Sequence, residues 1–429
     1  MKKTDVPSAQ ARIPSFTELR ERYHQLRQKP VMGEWSFSRR FEEARALHEE
    51  LEAHDYYPYR KEVDRFQLAK SNVQTENGSY LNLASNDYLG FTQDPEVKSA
   101  AARYLNDFGI GSGSVPMLAG TYSIHRALEQ ELAVFTGYEG ALLFNSGYSA
   151  NHGLLSTLLT SQDVALLDTQ VHASIIDGCA AANTIYFKHN DPESLKQALY
   201  KASSYTHKLV VVDGVYSMSG DLACLPELIT IARDANALLM IDESHAIGVM
   251  GVEGRGTLSQ FDLDTEATIT TASLGKALGG IGGYVAGPAG LMSLLELNCR
   301  SFIFSAALPA TTAAGIHAGL QLLQQGNSGH LSRLWSNVRF FREGLLAIGF
   351  PETGSRSAIL PLRINEDDKL IQLTHALAGE HILVNPVFYP VVSKRNSLIR
   401  ISVSASQSPQ QLCHALEQLE RHANRLGIL

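Results

Sequence analysis

Residues 237–246 read ALLMIDESHA. An unbroken apolar run stops at the carboxylate of Asp242, and His245 follows three residues later. A strand with one wet face alternates apolar and polar residues. A continuous apolar run predicts a strand buried on both faces, as in a parallel sheet covered by helices. The neighbouring segments repeat the plan. KLVVVDGVYS (208–217) is an apolar strand, LPELITIARDANA (225–237) carries a helical period, and ATITTASLGKALGG (267–280) is a further strand. Upstream, GALLFNSGYSANHGLLSTLL (140–159) and DVALLDTQVHASIIDGCAAA (163–182) each run from strand through turn to helix. Strand, helix, strand in succession implies right-handed crossovers and a mainly parallel α/β sheet with helices on both faces. Ligands of such sheets bind beyond the carboxyl ends of the strands.

The flanks differ from this middle. SFTELRERYHQLRQ (15–28) and SRRFEEARALHEELEAH (38–54) read as amphipathic helices of an N-terminal extension covering residues 1–75. A large α/β domain is expected over 76–325 and a small α+β domain over 326–429. In the latter, helical LWSNVRFFREGLLAIGF (334–350), DDKLIQLTHALAGEHI (367–382) and SPQQLCHALEQLERHANRLG (408–427) enclose strands SAILPLRIN (357–365) and NSLIRISVSA (396–405). Length alone, at roughly 150 residues per domain, allows two to three domains in 429 residues. The net charge of −8 argues against nucleic acid as the main partner. Four cysteines without a C-x-x-C pair argue against a disulfide framework or a structural metal site and fit the reducing cytoplasm. Neither a secretory signal nor an apolar stretch of the roughly 18 residues needed to span a membrane is present.

Polar residues gather at the predicted strand ends. Asp242 either caps the following helix or meets a buried cation such as a protonated pyridine nitrogen. Ser146, Gly147 and Tyr148 sit where a strand turns into a helix, and the free N–H groups there suit a phosphate. His172 follows the next strand, where a ring serves structure or stacks on a flat cofactor. Lys276, on its own, also fits a solvated lysine at the start of a surface helix. An amine of reference pKa ~10.4 is a poor nucleophile in water, yet beside the aldehyde of pyridoxal phosphate it forms a Schiff base. Ser273, three residues earlier, is in reach of the phosphate. Together these residues supply a phosphate turn, a stacking ring, a pyridinium counter-ion and a Schiff-base lysine, in that order along the chain.

GTYSIHRALEQELAVFTG (120–137), FNSGYSAN (144–151), HASIIDG (172–178), DGVYSMSGD (213–221), IDESHAIGVMGVEGRG (241–256) and TASLGKALGGIGGYVAG (271–287) resemble the α-oxoamine synthases, fold type I pyridoxal-phosphate enzymes. The resemblance covers residues 76–429. It implies an acyltransferase that joins an amino acid to an acyl thioester, on CoA or a carrier protein, with loss of CO2. It also implies a homodimer with sites at the interface. By this similarity Lys276 holds the cofactor, Asp242 pairs with its ring nitrogen, and His172 stacks on the ring. His245 and Ser217 lie near the ring hydroxyl, and Gly147, Tyr148 and Ser273 bind the phosphate. Asn86 sits at the substrate mouth, and Arg400 grips the amino acid carboxylate.

Three departures from the family pattern bear on substrate choice. Many members read A-x-H-T where this chain has Ala405-Ser406-Gln407-Ser408. Ala306-Ala307 stand where a hydroxyl is usual, so the hydroxyl from across the interface is missing or shifted to Ser305. Phe388 occupies the place of a loop arginine found in soluble serine palmitoyltransferases. The segments at 147–159, 172–179, 214–221 and 299–310 look most like serine palmitoyltransferases, which makes L-serine with a medium or long acyl chain the first expectation. Segments 274–280 and 388–394 look more like 2-amino-3-ketobutyrate CoA ligase, and 8-amino-7-oxononanoate and autoinducer synthases are similar too. Outside the family, a fold type I aminotransferase is the rival reading.

Overall fold

The structure, a computed structural model, describes residues 15–19, 21–22, 36–54, 62–67, 72–76, 78–326, 329–389, 391–393 and 395–429. Its central sheet has seven strands in the order β4 (Gly140–Phe144), β10 (Gly283–Gly287), β9 (Thr268–Ser273), β8 (Leu238–Asp242), β7 (Lys208–Asp213), β5 (Val164–Asp168) and β6 (Asn183–Phe187). Neighbours from β9 to β6 pair in parallel. β10 runs antiparallel between β4 and β9. The apolar runs behave as their pattern requires. On β5, Ala165 and Leu167 enter one buried cluster while Val164 and Leu166 enter the cluster on the opposite face. On β7, Leu209 and Val211 face one way and Val210 and Val212 the other.

The expected small-domain elements are present. β11 (Ile359–Arg363) and β13 (Asn385–Val387) flank β14 (Leu398–Ser402) in an antiparallel sheet, with helices His330–Ala347, Asp367–Gly379 and Pro409–Arg425 beside it. A third sheet orders β1 (Arg65–Gln67), β2 (Asn72–Thr75), β3 (Gly78–Asn82) and β12 (Ile382–Leu383). It joins chain from both sides of the boundary drawn at residue 76 to chain beyond 326. The cause is a non-local parallel pairing of Leu81 with Ile382, which local patterning cannot reveal. In the N-terminal extension, helix Ser36–Ala53 falls on the second expected amphipathic segment. Part of the first segment, including residues 23–28, lies outside the described residues. Among the described residues no helix is long and apolar enough to cross a membrane.

Between β9 and β10 the chain makes a tight turn that carries Lys276. Leu274 N donates to Gly282 O at 2.9 Å, Gly280 N to Leu274 O at 3.1 Å, and Gly279 N to Lys276 O at 2.9 Å. Gly279 has φ +71°, and a Cβ there would stand 2.8 Å from the Cβ of Phe91. A side chain is opposed both by the left-handed backbone of Gly279 and by the Phe91–Thr92 main chain packed against it. Gly279→Ala is expected to cost about 2 kcal/mol or more, read as a lower urea midpoint at unchanged m-value.

Candidate active site

The carboxyl ends of β5, β7, β8 and β9 and the reversed start of β10 open on one edge of the central sheet, where β14 and the loop after β3 also arrive. Asp242 ends β8 and is buried. Its Oδ1 accepts from Ser244 N at 2.8 Å and its Oδ2 from Asn151 Nδ2 at 2.6 Å. Asn151 also donates to Ser174 Oγ at 2.9 Å and accepts from Thr271 Oγ1 at 2.5 Å. Ser174 Oγ in turn lies 2.7 Å from His172 Nδ1. One buried amide therefore orients both Asp242 and, through a serine, the His172 ring. That ring caps the helix Ala173–Gly178 and is exposed, leaving it open to a stacking partner.

Gly147 opens the helix Gly147–Leu158, whose N-cap Ser146 accepts from Ser149 N at 3.0 Å. A Cβ on Gly147 would lie 2.7 Å from the Cβ of Ser273, so the helix start and the end of β9 touch only because position 147 lacks a side chain. The Tyr148 phenol is exposed and donates to Asp177. Its backbone N–H remains at the helix start, where the dipole favours an anion. Ser273 Oγ accepts from Gly275 N at 3.2 Å, and Ser273 N donates to Ser244 Oγ at 2.7 Å. Burial lowers the Lys276 amine to about 8 against the opposing pull of Asp242.

Arg400, on β14, is buried at 3% exposure. Its Nε donates to Ser217 O at 2.5 Å, its Nη1 to Asn86 Oδ1 and Ser402 Oγ at 3.0 Å each, and its Nη2 to Tyr88 Oη at 3.2 Å. Among the described residues no carboxylate forms an ion pair with it. Tyr88 Oη also lies 2.8 Å from His245 Nδ1. Burial, with Lys276 and Arg400 adding to it, holds the His245 ring well below its usual pKa and therefore neutral. The structure thus brings Asn86, Ser217 and Arg400 together, and through Tyr88 joins His245 to them. Ser217 takes part through its carbonyl.

The three departures each have a local setting. Gln407 is buried, accepts from Ser404 N at 3.0 Å and donates to Asn82 O at 3.2 Å, tying the end of β3 to the segment after β14. Ser408 caps the helix Pro409–Arg425 in a reciprocal capping box with Gln411. Ala307 N donates to Ser114 O at 2.9 Å. Phe388 is buried against Phe16 of the N-terminal extension, ring centroids 4.5 Å apart.

Sequence reasoning did not single out Asn151, Ser174 or Tyr88. Asn151 and Ser174 lie inside the segments 144–151 and 172–178 and Tyr88 lies two residues after Asn86, so proximity along the chain to Gly147, His172 and Asn86 was the available signal. The residues present fit pyridoxal phosphate. A buried carboxylate at a strand end meets the need of a pyridinium nitrogen, a helix start with a serine beside it meets that of a phosphate, and a depressed amine meets that of an aldehyde.

Two outcomes are expected. Asn151→Leu removes a donor to a buried carboxylate and should lower kcat/KM by roughly 10- to 100-fold, whereas Asn151→Gln should retain more activity. In protein stripped of cofactor, the neutral fraction of Lys276 increases as pH rises through about 8. The rate of pyridoxal phosphate capture, followed by visible absorbance, should climb over that range in the parent and be absent in Lys276→Ala.

Residues 79–419 match the family described as aminotransferase class I and II. The chain is 36% identical over 392 residues to the 8-amino-7-oxononanoate synthase 1 of Bacillus velezensis, covering 91% of this chain and 99% of that one. It is equally 36% identical, over 375 residues, to the serine palmitoyltransferase of Sphingobacterium spiritivorum, covering 87% and 93%. Among solved structures, a serine palmitoyltransferase from S. paucimobilis with a bound pyridoxal phosphate–myriocin aldimine superposes with a TM-score of 0.87 at 30% identity, over 93% of this chain and all of that one. Sequence motifs, sheet order and site chemistry agree with these likenesses, and the chain belongs to the class I and II aminotransferase family and, within it, to the pyridoxal-phosphate-dependent α-oxoamine synthases.

Proposed function

We propose that the protein condenses a small L-amino acid with an acyl thioester, releasing CO2 and the free thiol, with L-serine and a medium or long acyl chain as the first substrate pair. The observation that carries the reading is Arg400, a buried guanidinium surrounded by neutral acceptors only. A buried charge without a counter-charge is costly, and a planar fork is the natural partner of a carboxylate. The carboxylate of the amino acid supplies that partner.

Bound pyridoxal phosphate supplies the electron sink that a carbanion at the amino acid α-carbon requires. The side chains do the rest. Arg400 and Asn86 would orient the amino acid, and His172 and Asp242, the latter held by Asn151, would hold the cofactor ring. Lys276 Nζ, with its depressed basicity, takes the α-proton. His245, neutral and held by Tyr88, donates to an oxygen without adding charge. The bond from the α-carbon to the acyl carbonyl would form as the C–S bond breaks and the thiol leaves, and loss of CO2 would be balanced by return of the proton from Lys276 Nζ to the α-carbon.

The protein acts as a homodimer on this reading. Ile110, Leu118 and Phe304 are 88%, 81% and 71% exposed, on two segments joined where Ser112 Oγ donates to Ala307 O and Ala307 N donates to Ser114 O. Exposed apolar side chains gathered in this way mark an interface. The four free cysteines suit the cytoplasm. An 8-amino-7-oxononanoate synthase activity is the second reading, supported by a relative of that name as similar as the serine palmitoyltransferase.

Arg400→Lys keeps the charge but loses the fork. The KM for the amino acid should rise by at least about tenfold while that for the acyl donor moves little; equal increases would remove the role given to Arg400. Substrate choice is tested by kcat/KM for serine, glycine, alanine and aminobutyrate against acyl-CoAs of graded length. Each buried CH2 is worth roughly 0.8 kcal/mol, so an acyl tunnel should show steep length dependence with serine. Best turnover with an amino acid other than serine would discard the first substrate pair and leave the class standing, and amino transfer without thiol release would discard both readings.

A further inference from the structure

His189 follows β6, and its ring is gripped on both sides. Nδ1 lies 3.0 and 3.2 Å from the two oxygens of Asp168, and Nε2 lies 2.8 Å from Asp221 Oδ2. The ring also meets Tyr216 edge-on, centroids 4.3 Å apart at 89°. Each nitrogen faces a carboxylate, so both donate and the ring is an imidazolium. Burial lowers the pKa of such a ring, but the two carboxylates outweigh that and raise it to about 9.

The two carboxylates lead to different walls of the active site. Asp168 ends β5, and its Oδ1 accepts from Gln170 N at 2.8 Å, fixing the turn that delivers His172. Asp221 closes the turn of residues 216–221. Tyr216 N donates to Asp221 O at 3.0 Å, and Gly220 N to Tyr216 O at 2.9 Å. Within that turn, Ser217 O accepts from Arg400 Nε. Asn190 reinforces the same bridge. Its N donates to Asp168 Oδ2 at 2.9 Å, and its Nδ2 donates to Asp221 Oδ2 at 3.1 Å and Leu222 O at 2.7 Å.

We propose that His189 is a positioning residue for the reaction: by bridging Asp168 and Asp221 it holds the 216–221 turn against β5 and so fixes the carbonyl on which the Arg400 guanidinium rests. Without the bridge, two acidic groups repel across the gap and the turn moves away from Arg400. The proposal rests on the reading of Arg400 as the carboxylate grip. It assigns His189 an effect on amino acid binding and none on acyl-donor binding.

The test uses full-length, cofactor-loaded protein carrying His189→Gln, Asp221→Asn, Arg400→Lys, or His189→Gln with Arg400→Lys. Amino acid affinity is measured by absorbance titration without acyl donor, the KM of the acyl donor by steady-state kinetics, and the mobility of residues 216–221 by amide hydrogen exchange. His189→Gln and Asp221→Asn should each weaken amino acid binding by roughly tenfold or more, speed exchange in the 216–221 turn, and leave the acyl-donor KM within about twofold. Adding Arg400→Lys to His189→Gln should cost less than Arg400→Lys alone, because the two act on one contact. If Arg400→Lys weakens binding while His189→Gln and Asp221→Asn do not, the positioning role falls and the Arg400 reading stands. If Arg400→Lys itself leaves amino acid affinity intact, both fall. Proportional loss across both substrates would make His189 a general structural residue and overturn the proposal. Should His189→Gln fail to fold, Asp221→Asn, which removes the charge that His189 Nε2 and Asn190 Nδ2 share at Asp221 Oδ2, carries the same comparison.

Discussion

The burial of Arg400 is the constraint around which the active site is arranged. A guanidinium taken out of water must find acceptors for its donors, and those acceptors come from distant parts of the chain. Asn86 lies in the loop after β3, Ser217 in the turn after β7, and Tyr88 reaches across to His245. Satisfying one side chain thereby fixes three loops that no single sheet connects. The fourth acceptor, Ser402 on β14 itself, completes the neutral set and leaves the charge unmatched. What makes the site rigid also makes it receptive to an anion.

The adjacent strands β8, β7 and β5 end in Asp242, Asp213 and Asp168, all buried. Three neighbouring carboxylates in a low-dielectric edge repel, and the structure answers each differently. Asp168 is matched by the His189 imidazolium. Asp213 is held well above the usual carboxylate range by burial first and then by the charge of Asp242. Asp242 is stabilised by directed donors, Ser244 N and Asn151 Nδ2. Among the described residues Asp242 has these directed donors but no protein cation in hydrogen-bond contact. The proposed function assigns a cofactor cation to that place.

Much of this was legible in the sequence because strand ends are. Unbroken runs such as VALLD and LLMID mark strands covered on both sides, and the polar residue that stops each run falls at the ligand edge. The reversed direction of β10 was not legible, since GYVAG is as apolar read either way. Nor was the third sheet, whose β3–β12 pairing depends on chain far away. Within the site, Lys276, Asp242 and His172 could be named from position and chemistry. Asn151 and Tyr88 could not, because their importance comes from what they touch across the fold. The engagement of Ser217 through its backbone carbonyl is invisible to reasoning about side chains.

Arg400 and Asn86 are 314 positions apart, and β3 waits for β12 over a similar span. On the ribosome, at roughly 5–20 residues per second, the loop bearing Asn86 is exposed for something like 15–60 seconds before its partner is made. The central sheet, whose strands lie between these two points, has all its pieces well before then. Synthesis therefore supplies the strands of the central sheet first and the contacts of Arg400 last. During that interval the nascent chain already has Lys276 and the helix start at Gly147.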